Sequence, residues 1–466
     1  MVSKLERKMG ESKTTLYTIP VDDKYIIYAP LLPLAFIGNK AMVNLIHQKL
    51  KDPDVRVSES SLIDAIEKTG LFMPDKRIVP ECDCNQPFKP TLCIMMPTTA
   101  CNLACSYCYA TYEGKKNINL SWPTAKKAID IAFQNSVDPK NGKFSLSFHG
   151  GGEPTLPKSF FFKAAGYARK LDPGCPVSVT TNAVWDKEFR ERVLKIISEI
   201  SISFDGNEST QNRQRPGKLG KGTFSRVMET ILEVEKQKIP YGIRMTVTRE
   251  SLPELRSNIE FLCSHTECRS FQVEAVYNQG RAEGSGLTID DVDSFVDNFM
   301  DSYRYAAERG RNLHYSAARP HLITSAFCSA TSKALIVTSD GELTACYEVF
   351  DHSHPLADDF IIGRLDSRDG IILYEDKRRD LLSKINQNRS LCKNCFCYYH
   401  CAGDCPPKAF LANLNNDQFR CSVTKAITRE LIIERIAEND GFWQGSSSGK
   451  YYSDTKREEI RYVKRK

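Results

Sequence analysis

Short apolar runs set between polar turns divide the chain into recurring units. TTLYTIP and KYIIYAP flank Val21-Asp22-Asp23, so residues 14–37 predict strands joined by a hairpin turn. Val43, Ile46 and Leu50 then recur at helical spacing. Leu62, Ile63 and Ile66 do so again, behind a Ser-rich start at Ser58 to Ser61 that would cap a helix. Three short strands followed by helices predict a small independent module over residues 1–80, and ECDCNQPFKP reads as a polar link out of it.

From residue 91 the pattern alternates. LCIMMP, FSLSFHG, VSVTTNA, ISISFDG, GIRMTVT and FQVEAVY are strand-like runs, separated by helical stretches such as PTAKKAIDIAFQNS and FSRVMETILEVEKQ. Six such units predict an α/β region over 81–315 with a parallel sheet, open or rolled into a partial barrel. Loops that carry chemistry belong at the C-terminal ends of such strands. Residues 316–430 are loop-rich and dense in cysteine, and 431–466 form an extension ending in the basic, solvated KREEIRYVKRK.

Composition narrows the function classes. A net charge of +6 over 466 residues is not the dense basic field of a nucleic-acid binder. No run of about 18 apolar residues predicts a membrane span. MVSKLERKMGESK lacks the apolar segment of a secretory signal, so a cytoplasmic protein is expected. Disulfides are disfavoured there, and the 17 cysteines cluster: three at 101–108 and five at 392–405. That clustering favours metal binding.

Cys101, Cys105 and Cys108 share one tight loop, CNLACSYC, directly after LCIMMP. Zinc sites usually take four ligands, commonly as two pairs. An iron–sulfur cube has four iron corners. Three thiolates would fix it and leave one iron open to a ligand with an amine and a carboxylate. The spacing Cys-x3-Cys-x-aromatic-Cys, with Tyr107 as the aromatic, resembles the signature of the radical S-adenosylmethionine superfamily. The resemblance implies a partial (β/α)6 barrel, a [4Fe–4S] cluster on the trio, and bound S-adenosylmethionine. FSLSFHG runs into GGGEPT, where Gly151, Gly152 and Glu153 match the family's Gly-Gly-Glu-Pro motif for the amino group; Gly150 adds a third glycine. Glycine permits close backbone approach and a carboxylate accepts from an ammonium, which fits that role independently. Ser203 and Arg215 stand at the family's twelve-residue spacing for the methionyl carboxylate. Arg213 is a rival for Arg215, Arg244 is a further candidate, and Asn182 resembles the polar residue near the ribose.

The cysteines after residue 328 read Cys-x12-Gly-x4-Cys, a gap, Cys-x2-Cys-x5-Cys-x3-Cys, a gap, and Cys. This resembles the seven-cysteine pattern of the SPASM domain. The resemblance assigns Cys392, Cys395, Cys401 and Cys421 to an outer [4Fe–4S] cluster. It assigns Cys328, Cys346 and Cys405 to an inner one, giving three clusters in all. Some relatives carry an eighth cysteine a few residues after the first; here none lies between Cys328 and Cys346. The inner cluster is therefore expected to keep an open iron. Cys397 is the missing ligand or, the preferred reading, a structural thiol. Cys82, Cys84, Cys93, Cys175, Cys263 and Cys268 read as ordinary buried thiols, and His149 is given no chemistry.

The implied reaction starts with one-electron cleavage of S-adenosylmethionine, the electron coming from a donor such as flavodoxin or ferredoxin. The resulting 5′-deoxyadenosyl radical removes a hydrogen atom from the substrate. SPASM domains accompany peptide and protein modification. The N-terminal module resembles the winged-helix element to which a precursor's leader peptide adds as a strand. With an open inner iron, the resemblance points to thioether-forming maturases, the sactipeptide and ranthipeptide synthases. A carbon–carbon crosslinking (cyclophane-type) maturase and a sulfatase-maturase-like side-chain oxidase are the rivals; the oxidase has a fully ligated inner cluster. A non-catalytic iron–sulfur carrier or leader-binding scaffold is the reading from another class, and the glycine motif speaks against it. No nucleic acid or membrane partner is expected, and no catalytic side chain emerges.

Overall fold

The computed structural model describes residues 2–9, 12–52, 64, 66–75, 79, 83–110, 117–328, 330–366 and 370–444. The expected cap at Ser58 to Ser61, Leu62, Ile63, Cys82 and the basic tail lie outside the described residues; Ile66 is buried.

The N-terminal part is an antiparallel sheet. Its first four strands are β1 (Ser3–Met9), β2 (Ser12–Val21), β3 (Lys24–Ala29) and β4 (Leu34–Gly38). β2 and β3 pair across Asp22-Asp23, with Val21 opposite Lys24 and Asp22 in the left-handed region at φ +49°. Helix α1 (Lys40–Lys51) follows, its N-terminus capped by Asn39, whose side chain accepts from the Met42 N–H at 2.9 Å. It buries Val43, Ile46 and Leu50, the periodic positions. β1 was not expected. SKLERKM has no apolar alternation, and pairing with β2, Ser3 opposite Thr18, makes it a strand.

The central sheet is built by β5 (Leu92–Met95), α2 (Trp122–Ser136), β6 (Ser145–Phe148), α3 (Lys158–Leu171), β7 (Val177–Thr181), α4 (Lys187–Leu194), β8 (Glu199–Ser203), α5 (Glu208–Gln214), α6 (Phe224–Lys236), β9 (Tyr241–Val247), α7 (Leu255–His265), β10 (Ser270–Ala275), α8 (Val292–Glu308) and β11 (Asn312–His314). Each strand from β5 to β11 lies parallel beside the next. Short α9 (Ala330–Lys333) leads into β12 (Ala334–Val337), which pairs parallel with β5 on the other side; β13 (Glu342–Thr344), β14 (Ile361–Asp366) and β15 (Gly370–Leu373) add antiparallel strands. The sheet thus runs on past residue 315 into the cysteine-rich region.

The two faces of this sheet differ. Val177, Val179, Ile200, Ile202, Ile243, Met245, Phe271 and Val273 are buried in one core with helix residues such as Ala128, Phe161, Ile231 and Leu262. The alternate positions, Ser178, Thr180, Ser201, Ser203, Arg244, Thr246, Gln272 and Glu274, are only half-buried. Successive strand residues point to opposite faces, so the face away from the helices is polar along β7–β10. At β5 and β12 that face turns apolar, with Ile94, Met96, Ala334, Ile336 and Phe350 packed together.

After α10 (Ala357–Phe360) come α11 (Glu375–Leu391), α12 (Tyr398–Cys401), α13 (Pro406–Asn415) and α14 (Phe419–Glu438). The division drawn at residue 430 falls inside α14. β16 (Phe442–Gln444) then pairs antiparallel with β4, so the chain's two ends complete one sheet. The N-terminal module, expected to be independent, shares a core with the cysteine region: Tyr17, Ile19, Ile26 and Tyr28 pack with Cys397, Ile432, Ile436 and Trp443. Among the described residues no helix is long and apolar enough to cross a membrane.

Trp443 is 6% exposed and stacks on Tyr28 at 6.4 Å. Trp443→Ala is expected to cost about 3 kcal/mol, the usual scale for emptying a buried tryptophan site. Leu414→Ala, at a site 70% exposed, should change stability by no more than about 0.5 kcal/mol. Chemical denaturation of both variants checks this.

Candidate active site

The cysteine loop after β5 has little regular structure, so its position depends on hydrogen bonds from its neighbours. Three segments supply them. The loop after β6 donates Gly152 N–H to Thr98 O at 3.1 Å and Glu153 N–H to Ala100 O at 2.8 Å. The segment after α5 accepts Ser106 N–H at Gln214 O (2.9 Å) and Ala104 N–H at Pro216 O (2.8 Å). After β10, Arg281 donates its N–H to Cys108 O at 3.0 Å and Nη1 to Cys105 O at 3.2 Å.

Glycine is required at two of these contacts. A Cβ on Gly152 would lie 2.1 Å from Ala100 O, and one on Gly280 (φ +59°) would lie 2.4 Å from Cys108 O. The sequence suggested that the glycine motif lets backbone approach a ligand. At Gly152 the backbone it approaches is the cysteine loop itself.

Cys101, Cys105 and Cys108 lie within charge range of one another, and burial pushes Cys101 up to about 12 and Cys105 up to about 11. Arg215 opposes the shift at Cys105. The Leu103 N–H donates to Cys101 Sγ at 3.4 Å and Asn182 Nδ2 approaches it at 3.9 Å. Among the described residues no three His, Cys, Asp or Glu side chains gather round a single-ion site. Three thiols on one loop, Cys105 buried and Cys101 and Cys108 half-buried, with N–H donors aimed at a sulfur, fit a cube that takes one thiolate per iron. Thiolate is the ligating form.

Glu153 is buried, and its carboxylate is engaged by the chain. Oε1 accepts from Thr155 N–H (3.2 Å), Thr155 Oγ1 (2.6 Å) and Thr181 Oγ1 (2.7 Å); Oε2 accepts from Asn182 N–H (2.8 Å). Burial raises its pKa against those donors. Asn182 also donates Nδ2 to Asn102 Oδ1 at 2.8 Å, which sets it beside Cys101.

Tyr107 and Arg215 meet each other. Arg215 Nη1 donates to Tyr107 Oη at 2.5 Å, and Tyr107 donates to Asp205 Oδ2 at 2.6 Å. Asp205 also accepts from Gln214 Nε2 (2.9 Å) and Thr246 N–H (3.1 Å). This buried chain ties the cysteine loop to the ends of β8 and β9. Arg215 Nε is buried with no partner among the described residues. Arg213 instead pairs with Glu254 near the surface, at 2.6 Å, so the geometry prefers Arg215. Ser203 and Arg244 are register partners across β8 and β9, on the polar face. Asp205 and Gly280 were missed from sequence: Asp205 sits within the run ISISFDG, read only as a strand, and Gly280 lies outside any motif.

The C-terminal cysteines form two groups. Cys395 lies within charge range of Cys392, Cys401 and Cys421. Cys346 lies within charge range of Cys328 and Cys405. Cys397 hydrogen-bonds with Cys395, which holds the Cys395 thiol down to about 7. Cys397 therefore stands with the group of four, its side chain in the core under the N-terminal sheet. Cys392, Cys395, Cys401 and Cys421 line a cavity of about 970 Å³. Arg420 fixes this region to the barrel. Its Nε reaches both oxygens of Asp404 (2.8 and 2.6 Å), Nη1 reaches Glu274 Oε2 on β10 (2.9 Å), and Nη2 reaches Ser316 Oγ (2.9 Å).

Gly152→Ala is expected to displace the Ala100 backbone and lower iron content after reconstitution by one cluster per chain. Arg213→Ala should leave iron content unchanged. Iron and sulfide analysis of the two purified variants reads the difference.

Comparison with known proteins agrees with this arrangement. Residues 95–262 match the family model described as the radical SAM superfamily. The serine-type anaerobic sulfatase-maturating enzyme of Klebsiella aerogenes is 26% identical over 325 residues, 66% of this chain and 77% of that protein. The sporulation killing factor maturation protein SkfB of Bacillus subtilis (strain 168) is 25% identical over 262 residues, 56% of this chain and 60% of that protein. The solved structure of native anSMEcpe with bound AdoMet and Kp18Cys peptide superposes with a TM-score of 0.56 at 18% identity, covering 72% of this chain and 99% of that one. With its cysteine trio on the loop after β5, inside the matched segment, this chain carries a radical SAM domain over residues 95–262.

Proposed function

We propose that the chain is a peptide maturase that joins a substrate cysteine to a carbon of another residue in a ribosomally made precursor, as a thioether. The single observation that carries the thioether reading is the division of the SPASM-like cysteines. Four stand together (Cys392, Cys395, Cys401, Cys421), three stand together (Cys328, Cys346, Cys405), and Cys397 is placed with the four. Among the described residues the group of three has no fourth cysteine in charge range that could complete a cube, which leaves room for a substrate thiolate. The sulfatase-maturating relatives and SkfB support a peptide or protein substrate.

When bound, the clusters and S-adenosylmethionine would supply the 5′-deoxyadenosyl radical that takes a substrate hydrogen atom, and a sink for the electron released as the bond to sulfur forms. The chain's residues position these groups. Cys101, Cys105 and Cys108 would hold the first cluster. The Gly151–Glu153 turn, Asn182 and Arg215, which adjoin the cysteine loop, together with Ser203 on β8, would hold S-adenosylmethionine. Arg215, already beside Cys105, brings positive charge there. Cys392, Cys395, Cys401 and Cys421 would hold an outer cluster, and Cys328, Cys346 and Cys405 an inner one. A reducing protein such as flavodoxin or ferredoxin would supply the starting electron.

The leader peptide would add as a strand beside β1, an end strand of the N-terminal sheet. Sharing a core with Ile432 and Ile436, that sheet would hold the leader at a fixed distance from the cysteine groups.

The second reading is side-chain oxidation of the sulfatase-maturase type, and the Klebsiella aerogenes relative is named a serine-type anaerobic sulfatase-maturating enzyme. It releases hydrogen from one residue and consumes no second thiol. Coexpression with the candidate precursor separates the two. A thioether requires a peptide lighter by two hydrogens per crosslink and poorer by one alkylatable thiol. A modified peptide that keeps all its thiols refutes the thioether.

A further inference from the structure

The polar face of the barrel carries a row of residues that the cysteine sites do not use. Ser203 pairs in register with Arg244, Arg244 with Gln272, and Gln272 with His314, across β8, β9, β10 and β11. All four are half-buried, while their sequence neighbours Ile202, Ile243, Phe271 and Leu313 are buried on the helix side. Arg244 has no hydrogen bond or ion pair to any described side chain. Glu274, two residues along β10 from Gln272 and opposite Thr246, is occupied by Arg420, the Ser316 N–H and Gln272.

Two imidazoles flank Arg244. His314 is half-buried, and its Nδ1 is buried with no partner among the described residues. His149, at the end of β6, stacks on Tyr347 at 4.0 Å and 23°. Gly150 engages His149 Nδ1 through both its N–H (3.0 Å) and its O (3.3 Å), which leaves Nε2 as the other ring nitrogen. That Nε2 is buried and has no partner among the described residues. Burial and the charge of Arg244 hold His149 down to about 4, so it is neutral near pH 7. Arg244 also lies within charge range of Tyr347, which follows Cys346 of the group of three.

Arg244 is a half-buried cation without a bonded anion, and His149 Nε2 and His314 Nδ1 are buried ring nitrogens without partners among the described residues, a cost that a ligand completing them would relieve. One ligand satisfies both: an anionic oxygen pair. This polar face lies between the Gly151–Glu153 turn, which His149 adjoins, and Cys346, which precedes the Tyr347 stacked on His149.

We propose that Arg244, His149 and His314 form the pocket for the substrate residue to be modified, and that this residue carries a carboxylate, as aspartate and glutamate do. The proposal rests on the peptide-maturase reading and adds a side-chain class to it. Arg244 and His149 are positioning residues. They fix the acid side chain so that one of its C–H bonds faces the cysteine loop.

The test uses the full chain, reconstituted with its clusters and S-adenosylmethionine under anaerobic conditions. The probes are capped pentapeptides Gly-Ala-X-Ala-Gly with X as Asp, Asn, Glu or Gln, and calorimetry measures their binding. The acid probe should bind at least about tenfold more tightly than its amide partner, the scale of a charge-assisted hydrogen bond. In Arg244→Gln that ratio should fall to about one. His314→Gln, a milder variant, should reduce it as well, and circular dichroism and iron content report whether each variant folds. Equal binding of acid and amide probes, or no binding of any probe, overturns the proposal. So does an Arg244→Gln enzyme that binds S-adenosylmethionine more weakly but keeps the acid preference, since Arg244 would then serve the cofactor. Failure of the thioether reading shows separately, in the mass and thiol count of the coexpressed precursor.

Discussion

The structure depends on the backbone grip on the cysteine loop. Three thiols must hold fixed positions on a segment that has no helix or strand of its own. The grip comes from main-chain hydrogen bonds at Thr98, Ala100, Ala104, Ser106 and Cys108, supplied from the ends of β6, α5 and β10. Such contacts need backbones to approach closely, which Gly152 and Gly280 allow. The Arg215–Tyr107–Asp205 chain adds charge-assisted bonds in a buried setting, where they are stronger and costlier to break.

A second constraint is the placement of the C-terminal cysteines relative to that loop. Arg420 links Asp404, between Cys401 and Cys405, to Glu274 on the barrel. β12 enters the barrel sheet beside β5 and then leads, through Cys346 and Tyr347, back over the polar face. The N-terminal sheet is fastened to the same region by β16 and the core around Trp443. The cysteine loop, the polar sheet face and the group Cys328, Cys346 and Cys405 therefore form one connected body.

Much of this was legible in sequence because it is local. Apolar runs of strand length marked β5 to β10, and cysteine spacing marked the groups of cysteines that the fold brings together. What escaped was long-range or hidden by the pattern. β1 is built from charged residues, so alternation says nothing about it. β16 pairs with β4 from the far end of the chain. Reading GIRMTVT and FQVEAVY as apolar runs concealed that Arg244 and Gln272 point away from the helices. Tyr107 and Arg215 were each picked out by motif spacing, but their contact through Asp205 exists only once β8 and the cysteine loop are side by side. His149, set aside from sequence, became informative when Tyr347 was found stacked on it.

The central claim is that Cys101, Cys105 and Cys108 alone start the radical chemistry. Its most direct test is anaerobic incubation with dithionite and S-adenosylmethionine, comparing the native chain with its Cys101→Ala, Cys105→Ala, Cys108→Ala triple variant. The account predicts 5′-deoxyadenosine from the native chain, and none from the variant, although the variant still binds iron through its C-terminal cysteines. Undiminished 5′-deoxyadenosine from the triple variant would contradict it.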